Sequence, residues 1–198
     1  MNLRYLGDAL DHWKGSLLAR LRDENLLAKL AADAMAADGP QWTPSDWELL
    51  SKLIRLPRQH ILEHTASLET QRVAYFEEIN HASDIFLDPD TGIATGRVAK
   101  PAQYITPPEL CRILDVNPSR VVAVYQHVRA VPTRDRIKQI IAALPCPGEP
   151  LSCCSDESST VAMLFFSRNR HRIEEIHQNH AAFLGQHASR RTCSWHSP

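Results

Sequence analysis

The chain has 198 residues, of which 43% are hydrophobic and 23% are charged, and its formal net charge is −1. This composition is typical of a globular protein and argues against a collagen-like, coiled-coil or disordered chain. The near-neutral charge gives no global indication of nucleic-acid binding. At this length we expect one domain over residues 1–198.

Two further features concern the compartment. No apolar run approaches the roughly 18 residues of a membrane span, and charged residues interrupt the N-terminal stretch where a signal peptide is apolar. The five cysteines are odd in number and lack the CxxC spacing of a zinc knuckle. We therefore predict a cytoplasmic protein with no membrane association and no bound structural metal.

Apolar spacing and capping residues predict the elements of the first 80 residues. Leu10, Trp13 and Leu17 repeat at helical spacing, and Thr43 before a proline is a typical helix N-cap. The alanine-rich segment that ends in Asp-Gly-Pro is interpreted as a short buried strand. In chain order we predict a helix over 8–22, a strand over 26–38, a helix over 43–56, and a helical region over 58–80 with Val73, Phe76 and Ile79 turned inward.

The rest of the chain alternates apolar runs with helical patterns. RVVAVYQHV and TVAMLFFS have no polar face, which is typical of strands buried on both sides. Thr106 and Glu109 flank prolines as a capping box and predict a helix start. In order we predict a strand over 84–87, a loop over 93–105, a helix from 106, a strand over 120–128, a helix over 133–144, a surface loop over 145–158, a strand over 160–167, a helix with Phe183 inward that Gly185 ends, and an edge strand over 191–195.

Buried strands that are separated by helices require right-handed crossovers. The sequence therefore predicts an α/β fold, a three-layer Rossmann-like domain with a mostly parallel sheet of about five strands. Ligands bind beyond the carboxyl ends of such strands. We expect the site at four strand ends, which are residues 33–38, 88–92, 125–127 and 167–170. The predicted core residues are Phe86, Val122, Val124, Leu164 and Phe165.

Asp88-Pro89-Asp90, at the end of a hydrophobic strand, is the most informative motif. Its two carboxylates suit a Mg²⁺ ion for phosphoryl chemistry, and a single carboxylate suits the orientation of a substrate amino group. A plain turn, in which the side chains cap backbone amides, explains the motif equally well.

Three other polar clusters stand beside predicted elements. Asp8, Asp11 and Lys14 begin the first helix, either as an N-cap and a solvated face or as a cleft in which Lys14 binds a phosphate or carboxylate. Gln126 and His127 end a buried strand, where a histidine acts as a base or donor or has a structural role. The run 167–172 brings three arginines to a helix start, which suits an anionic partner or a solvated loop.

These motifs, in their order along the chain, resemble the Rossmann-like methyltransferases of the RlmJ kind, which modify adenine in large-subunit ribosomal RNA. Residues 7–14 (GDALDHWK) are similar to the family's N-terminal Asn/His-Ala-Asp-Val-Leu-Lys-His segment, and residues 86–91 (FLDPDT) take the place of its Asp-Pro-Pro-Tyr. The next strand of the family ends in an aromatic-proline pair, where this chain has Tyr125 and Gln126.

Two positions depart from that family. Residues 36–40 contain one glycine where the family has the glycine-rich turn that binds S-adenosylmethionine, and Thr91 replaces the aromatic residue that stacks on the flipped base. The resemblance implies a nucleic-acid-directed enzyme, with S-adenosylmethionine as cofactor and with Asp88 orienting the substrate amino group.

The residues and the resemblance together give one predicted site. We predict Asp88, Asp90 and His127 as catalytic residues. The predicted cofactor-binding residues are Asp8, Asp11, Lys14, Asp33 and Gln126. The alternatives are a Mg²⁺-dependent nuclease or phosphatase that uses Asp8, Asp88 and Asp90, and a non-catalytic binding module. The expected partner is a nucleic acid or nucleotide.

Overall fold

A central sheet organises the computed structural model, which describes residues 1–36, 41–79, 84–128, 131–144 and 150–196. The strands in this part of the chain are β1 (Leu30–Asp33), β2 (Ile61–Leu62), β3 (Asp84–Leu87), β4 (Gly92–Ile93), β5 (Tyr104–Ile105), β6 (Val122–His127), β7 (Ser152–Glu157), β8 (Val161–Ser167) and β9 (Ser194–His196). The helices are α1 (Ala9–Asp23), α2 (Pro44–Leu53), α3 (Arg72–Glu78), α4 (Pro107–Val116), α5 (Thr133–Ala143), α6 (Arg170–Leu184) and α7 (Ala188–Arg191). None of these helices is both long and apolar enough to cross a membrane.

Seven strands form the main sheet in the order β2-β1-β3-β6-β8-β7-β9, and β4 pairs with β5 separately. The strands β2, β1, β3 and β6 are parallel to one another, whereas β8 is antiparallel to both of its neighbours and β9 is antiparallel to β7. Helices flank the sheet. The predicted three-layer α/β fold with a mostly parallel sheet is confirmed, with seven strands where about five were expected.

Two apolar cores lie on the two faces of the sheet. One core packs α1, α2 and α6 against residues such as Phe86 and Phe165. The other packs α3, α4 and α5 against residues such as Val122, Val124 and Leu164. All five of these predicted core residues are at most 1% exposed, so the continuous apolar runs identified the strands correctly.

The surface loop predicted over 145–158 is wrong over its described part. Residues 152–157 form β7, a fully buried strand between β8 and β9. Its polar side chains are satisfied internally, because the Ser155 hydroxyl donates to Glu157 at 2.7 Å and the Ser155 carbonyl accepts from the Thr192 hydroxyl at 2.6 Å. Because the buried side chains of β7 are largely polar and are satisfied by hydrogen bonds, the strand has no apolar pattern in the sequence from which it could be predicted.

The helix predicted over 58–80 is also wrong in extent. Over the described residues 58–79 only α3 is α-helical, and β2 and a connecting loop precede it. Phe76 is buried as expected, but Val73 in the first turn of α3 is 61% exposed. Phe183 on α6 is also exposed, and its ring lies under the Arg20 guanidinium at 4.6 Å.

Gly15 allows α1 to approach α2 closely. A Cβ atom at this position would lie 1.9 Å from the carbonyl oxygen of Leu53, at the end of α2. The N-terminus of α1 is fixed by Asp8, whose carboxylate accepts from the amides of Leu10 at 2.8 Å and Asp11 at 3.2 Å. Together these contacts determine where α1 places its polar side chains.

We expect Gly15→Ala to lower the free energy of unfolding by about 1–3 kcal/mol, because the new methyl group meets backbone that cannot move independently. This expected loss of stability is opposite in sign to the effect of helix propensity, which favours alanine over glycine by about 1 kcal/mol. Ser16→Ala, at the next and exposed position, should change stability by less than about 0.5 kcal/mol. Urea denaturation measures both, and a stabilised Gly15→Ala variant would contradict the close α1–α2 packing.

Candidate functional site

Two cavities flank the point where the order of the parallel strands reverses. The chain passes from β1 to β2 on one side and reaches β3 on the other side of β1, and ligands of such sheets bind at this switch point. The larger cavity, about 330 Å³, is named the aromatic pocket, and its walls include Trp42, Trp47, Glu63, His64 and Tyr75. The smaller cavity, about 200 Å³, is named the acidic pocket, and its walls include Asp8, Asp11, Lys14, Asp88, Asp90 and His127.

A buried lysine holds the acidic pocket together. The Lys14 ammonium donates to Asp88 Oδ2 at 2.8 Å and to Asp11 Oδ1 at 3.0 Å. It also lies 4.4 Å from the centroid of the Tyr125 ring, a favourable cation–π distance. Burial alone would lower the pKa of Lys14, but the Asp88 and Asp11 carboxylates outweigh it and raise that pKa well above its usual value. Lys14 is therefore a permanent cation in this site.

Asp88 lies at the centre of the switch point and is 2% exposed. Its amide donates to the Asp33 carbonyl at 2.9 Å, and its carbonyl accepts from the Met1 ammonium at 2.7 Å. Burial raises the pKa of the Asp88 carboxyl, and the nearby Lys14 opposes that rise. Within the described residues its carboxylate uses only Oδ2, so Oδ1 has no protein hydrogen-bond partner there.

Met1 borders the acidic pocket and lies over the carboxyl ends of β1 and β3. The Met1 ammonium donates to the carbonyls of Ala34, Met35 and Asp88, and it lies 3.5 Å from Asp90 Oδ1. Burial lowers the pKa of this amino group. The contacts fix the N-terminal segment across the carboxyl ends of β1 and β3.

Six of the eight predicted site residues line the acidic pocket together: Asp8, Asp11, Lys14, Asp88, Asp90 and His127. Both interpretations of Asp8 have structural support, because its carboxylate caps α1 and also borders the cavity. The His127 ring lies close to the Tyr125 hydroxyl, with Nδ1 at 3.3 Å from that oxygen. The structure thus brings these side chains together, and their roles stay predictions.

Gln126 lines neither described pocket. Its Oε1 accepts from the Ile93 amide at 2.8 Å, and its Nε2 donates to the Thr91 carbonyl at 3.2 Å. Gly92 makes this contact feasible, since its φ is +121° and a Cβ there would lie 2.4 Å from Gln126 Oε1. Gln126 therefore supports the backbone that follows Asp88 and Asp90.

Asp33 lies behind the aromatic pocket, away from the other predicted residues. Its Oδ1 accepts from the Tyr75 hydroxyl at 2.6 Å and from the Met35 amide at 2.7 Å. The His64 ring is 3.2 Å from its Oδ2. Residues 37 and 38, at the predicted end of this strand region, are outside the described residues, as are 39 and 40.

Of the wall of the aromatic pocket, the sequence predicted only Ala36, which lies in the expected strand end 33–38. Glu63 and His64 follow the two-residue strand β2, which lay inside a predicted helix. The available signal was the apolar pair Ile61 and Leu62 followed directly by polar residues, which is the same pattern that identified Asp88.

The arginine cluster at 167–172 is at the opposite edge of the sheet, so the expectation of a ligand site there is wrong in position. The strand β8 is antiparallel to β6, and its carboxyl end therefore lies beside the start of β6. Arg172 pairs there with Asp84 at 3.0 Å, and Arg168 pairs with Asp115 at 2.6 Å. Both guanidinium groups have carboxylate partners within the fold.

Comparisons with known proteins identify no family for this chain. No protein-family model matches it, and no curated protein matches it. The crystal structure of a Legionella pneumophila protein with the family description DUF519 aligns at a TM-score of 0.39 and 10% identity, covering 78% of this chain and 57% of that one. A likeness at this level supports no inference about activity, and none of these comparisons shows the resemblance to RlmJ-type enzymes.

We expect Lys14→Met to lower the free energy of unfolding by about 3–5 kcal/mol, because it leaves the buried Asp88 and Asp11 carboxylates without their cation. Lys14→Met combined with Asp88→Asn should recover part of that loss, since one buried charge is then removed. Urea denaturation of the single and double variants measures the coupling. Strictly additive effects would contradict the buried ion pair.

Proposed function

We propose that the chain is a nucleic-acid-directed enzyme of the methyltransferase-like class, with the substrate amino group at Asp88 in the acidic pocket and S-adenosylmethionine in the aromatic pocket. The observation that carries this proposal is the placement of two cavities on either side of one switch point. Ligands in the two cavities would both lie at the carboxyl ends of β1 and β3, and they would meet there when the Met1 segment that crosses these ends is displaced.

The side chains of the aromatic pocket fit the cofactor chemically. Glu63 directly follows β2, where a carboxylate in Rossmann-like folds accepts hydrogen bonds from ribose hydroxyls. Trp42 and Trp47, with ring centroids 4.4 Å apart, offer aromatic faces to adenine. The Glu63 carboxylate, which is in the wall of the pocket, would favour a positively charged sulfonium. S-adenosylmethionine, when bound, supplies the methyl group.

In the acidic pocket, Asp88 would orient the reacting nitrogen. Its Oδ1, which has no partner among the described residues, would accept an N–H of the substrate amino group and so direct the nitrogen lone pair away from the carboxylate. The Lys14 ammonium donates to the other oxygen of Asp88, Oδ2, and also to Asp11 Oδ1, which fixes the position of Lys14. Burial of all three groups strengthens these interactions.

Exposed cations on the N-terminal segment and in the excursion from β4 to β5 support a polyanionic substrate. Arg4 lies between Asn2 and Tyr5, which both border the acidic pocket, and Arg97 and Lys100 lie in the excursion from β4 to β5. All three cations are exposed, as phosphate-binding side chains must be.

The metal-dependent alternative has less support from the contacts. Asp8 caps α1, Asp88 is held by Lys14, and Asp90 faces the Met1 ammonium. A Mg²⁺ ion shared by these carboxylates would have to compete with the buried Lys14 ammonium for Asp88.

A thermal-shift panel tests the cofactor. Saturating S-adenosylhomocysteine should raise Tm by about 5–10 °C, because a ligand at a hundred times its Kd stabilises the fold by about 2.7 kcal/mol. Glu63→Gln should lose most of this shift without unfolding the protein, since Glu63 is exposed. Glu69→Gln, which is exposed and outside the pocket wall, is the matched control.

The same panel separates the alternatives. Stabilisation by Mg²⁺ or Mn²⁺ that Asp90→Asn abolishes would replace this proposal with the phosphoesterase one. No shift with either ligand class would favour a non-catalytic binding module.

Asp88→Asn and Asp90→Asn test the reaction centre. In an assay of labelled methyl transfer from S-adenosylmethionine to bulk RNA, Asp88→Asn should lose activity by about a hundredfold or more, because the amide offers the amino group a weaker acceptor. Asp90→Asn should retain activity, since the proposal gives Asp90 no contact with the reacting nitrogen. Equal loss in both variants would favour the metal-dependent alternative.

A further inference from the structure

His64 lies between two carboxylates in the wall of the aromatic pocket. Its Nε2 is 3.2 Å from Asp33 Oδ2, and its Nδ1 is 3.1 Å from Glu78 Oε2. The ring stacks on Tyr75 with centroids 3.7 Å apart, and the side chain is 6% exposed. The imidazole therefore has a fixed position and two acceptors.

Only the protonated ring satisfies both acceptors. A neutral imidazole has one N–H and would direct a lone pair at the other carboxylate, whereas an imidazolium donates from both nitrogens. His64 Nε2 and Asp33 Oδ2 are buried and lie 3.2 Å apart, and neither atom has a hydrogen-bond partner among the described residues. A proton on His64 Nε2 removes the unfavourable contact between the lone pair of a neutral ring and the Asp33 carboxylate.

Glu78 also holds this wall of the aromatic pocket in place, through hydrogen bonds. Residues 63–68 run along the cavity, and Glu78 accepts from the Thr65 hydroxyl at 2.6 Å and from the amides of Thr65 at 3.1 Å and Ala66 at 3.2 Å. His64 connects this segment to Asp33 at the end of β1. The imidazolium thus joins the pocket wall to the sheet and to α3.

We propose that protonated His64 is a positioning residue that holds residues 63–68 in the shape that binds the ligand of the aromatic pocket, so that binding weakens as His64 loses its proton. The ion pair between protonated His64 and Asp33 holds residues 63–68 to the sheet, and a neutral ring has only one N–H to offer to two carboxylates. The identity of the ligand rests on the proposed function, but the link between protonation and the pocket wall does not.

The groups around His64 determine the direction of the pH dependence. They are Asp33 from β1 and Glu78 and Tyr75 from α3, and burial raises the pKa of Tyr75 well above its usual value, which keeps the phenol neutral. Burial alone would lower the pKa of His64, but Asp33 and Glu78 outweigh it and raise that pKa. The stabilisation is therefore complete below the unfolded-state pKa of about 6.5 and is lost as pH rises through the folded-state pKa.

Binding of S-adenosylhomocysteine, measured by calorimetry from about pH 6 to about pH 9, tests the ligand side. The wild-type affinity should fall at least about fivefold across this range. His64→Gln should bind weakly with a flat pH profile, because glutamine does not titrate. His12→Gln, at an exposed histidine on α1, should follow the wild type. A wild-type profile retained in His64→Gln would overturn the inference.

Hydrogen exchange of the unliganded wild-type protein tests the wall itself and needs no variant to fold. After correction for intrinsic exchange rates, residues 63–68 should be less protected at about pH 9 than at about pH 6. Equal protection would overturn the inference. Absence of S-adenosylhomocysteine binding at every pH, together with pH-dependent protection, would instead overturn the proposed cofactor and leave the role of His64 standing.

Discussion

The ion pair between Lys14 and Asp88 is the constraint on which the site depends. It joins the first helix to the end of a central strand, and both charges are almost completely buried. Such pairs seldom add net stability over apolar side chains of similar size, because two ions must be desolvated. The pair is therefore better explained by what it presents to the acidic pocket than by its contribution to folding. The N-cap Asp8 and the close approach at Gly15 are the local features that bring Lys14 to this position.

The alternation of side chains along parallel strands separates the two pockets. Asp33 is paired with Leu87 in the sheet register, and Leu87 belongs to the core beneath α3, α4 and α5. Asp33 accordingly reaches Tyr75 on α3. Asp88 is one residue further along, and successive side chains of a strand point to opposite faces, so it reaches Lys14 on α1. The side chains at the carboxyl ends of the adjacent strands β1 and β3 therefore lie beside two different cavities, one on each face of the sheet.

The sequence was sufficient for those parts of the site that follow clear apolar runs. Asp88 and His127 end such strands, and parallel topology brought them together with Lys14. The aromatic pocket was harder to predict, because β2 has two residues and gives no periodicity, which leaves an apolar pair followed by polar residues as its one sequence signal. The direction of a strand in the sheet could not be predicted either, because a strand buried on both faces has the same apolar pattern whether it is parallel or antiparallel to its neighbours. That ambiguity placed the cluster around Arg172 at the wrong edge.

The charges of the acidic pocket bear on which part of a substrate it can accept. Its four carboxylates outnumber its ammonium groups, and Lys14, which was expected to bind a phosphate or carboxylate, is already held by Asp11 and Asp88. A phosphate would meet net repulsion there, whereas an amino group would find an acceptor in Asp88 Oδ1. A nucleic-acid substrate would then present a base edge to this pocket and its phosphates to exposed cations such as Arg97 and Lys100. Under the proposed function the sign of the charge inside the cavity suits an amino group, whereas phosphoryl chemistry there would require a bound cation to offset the carboxylates.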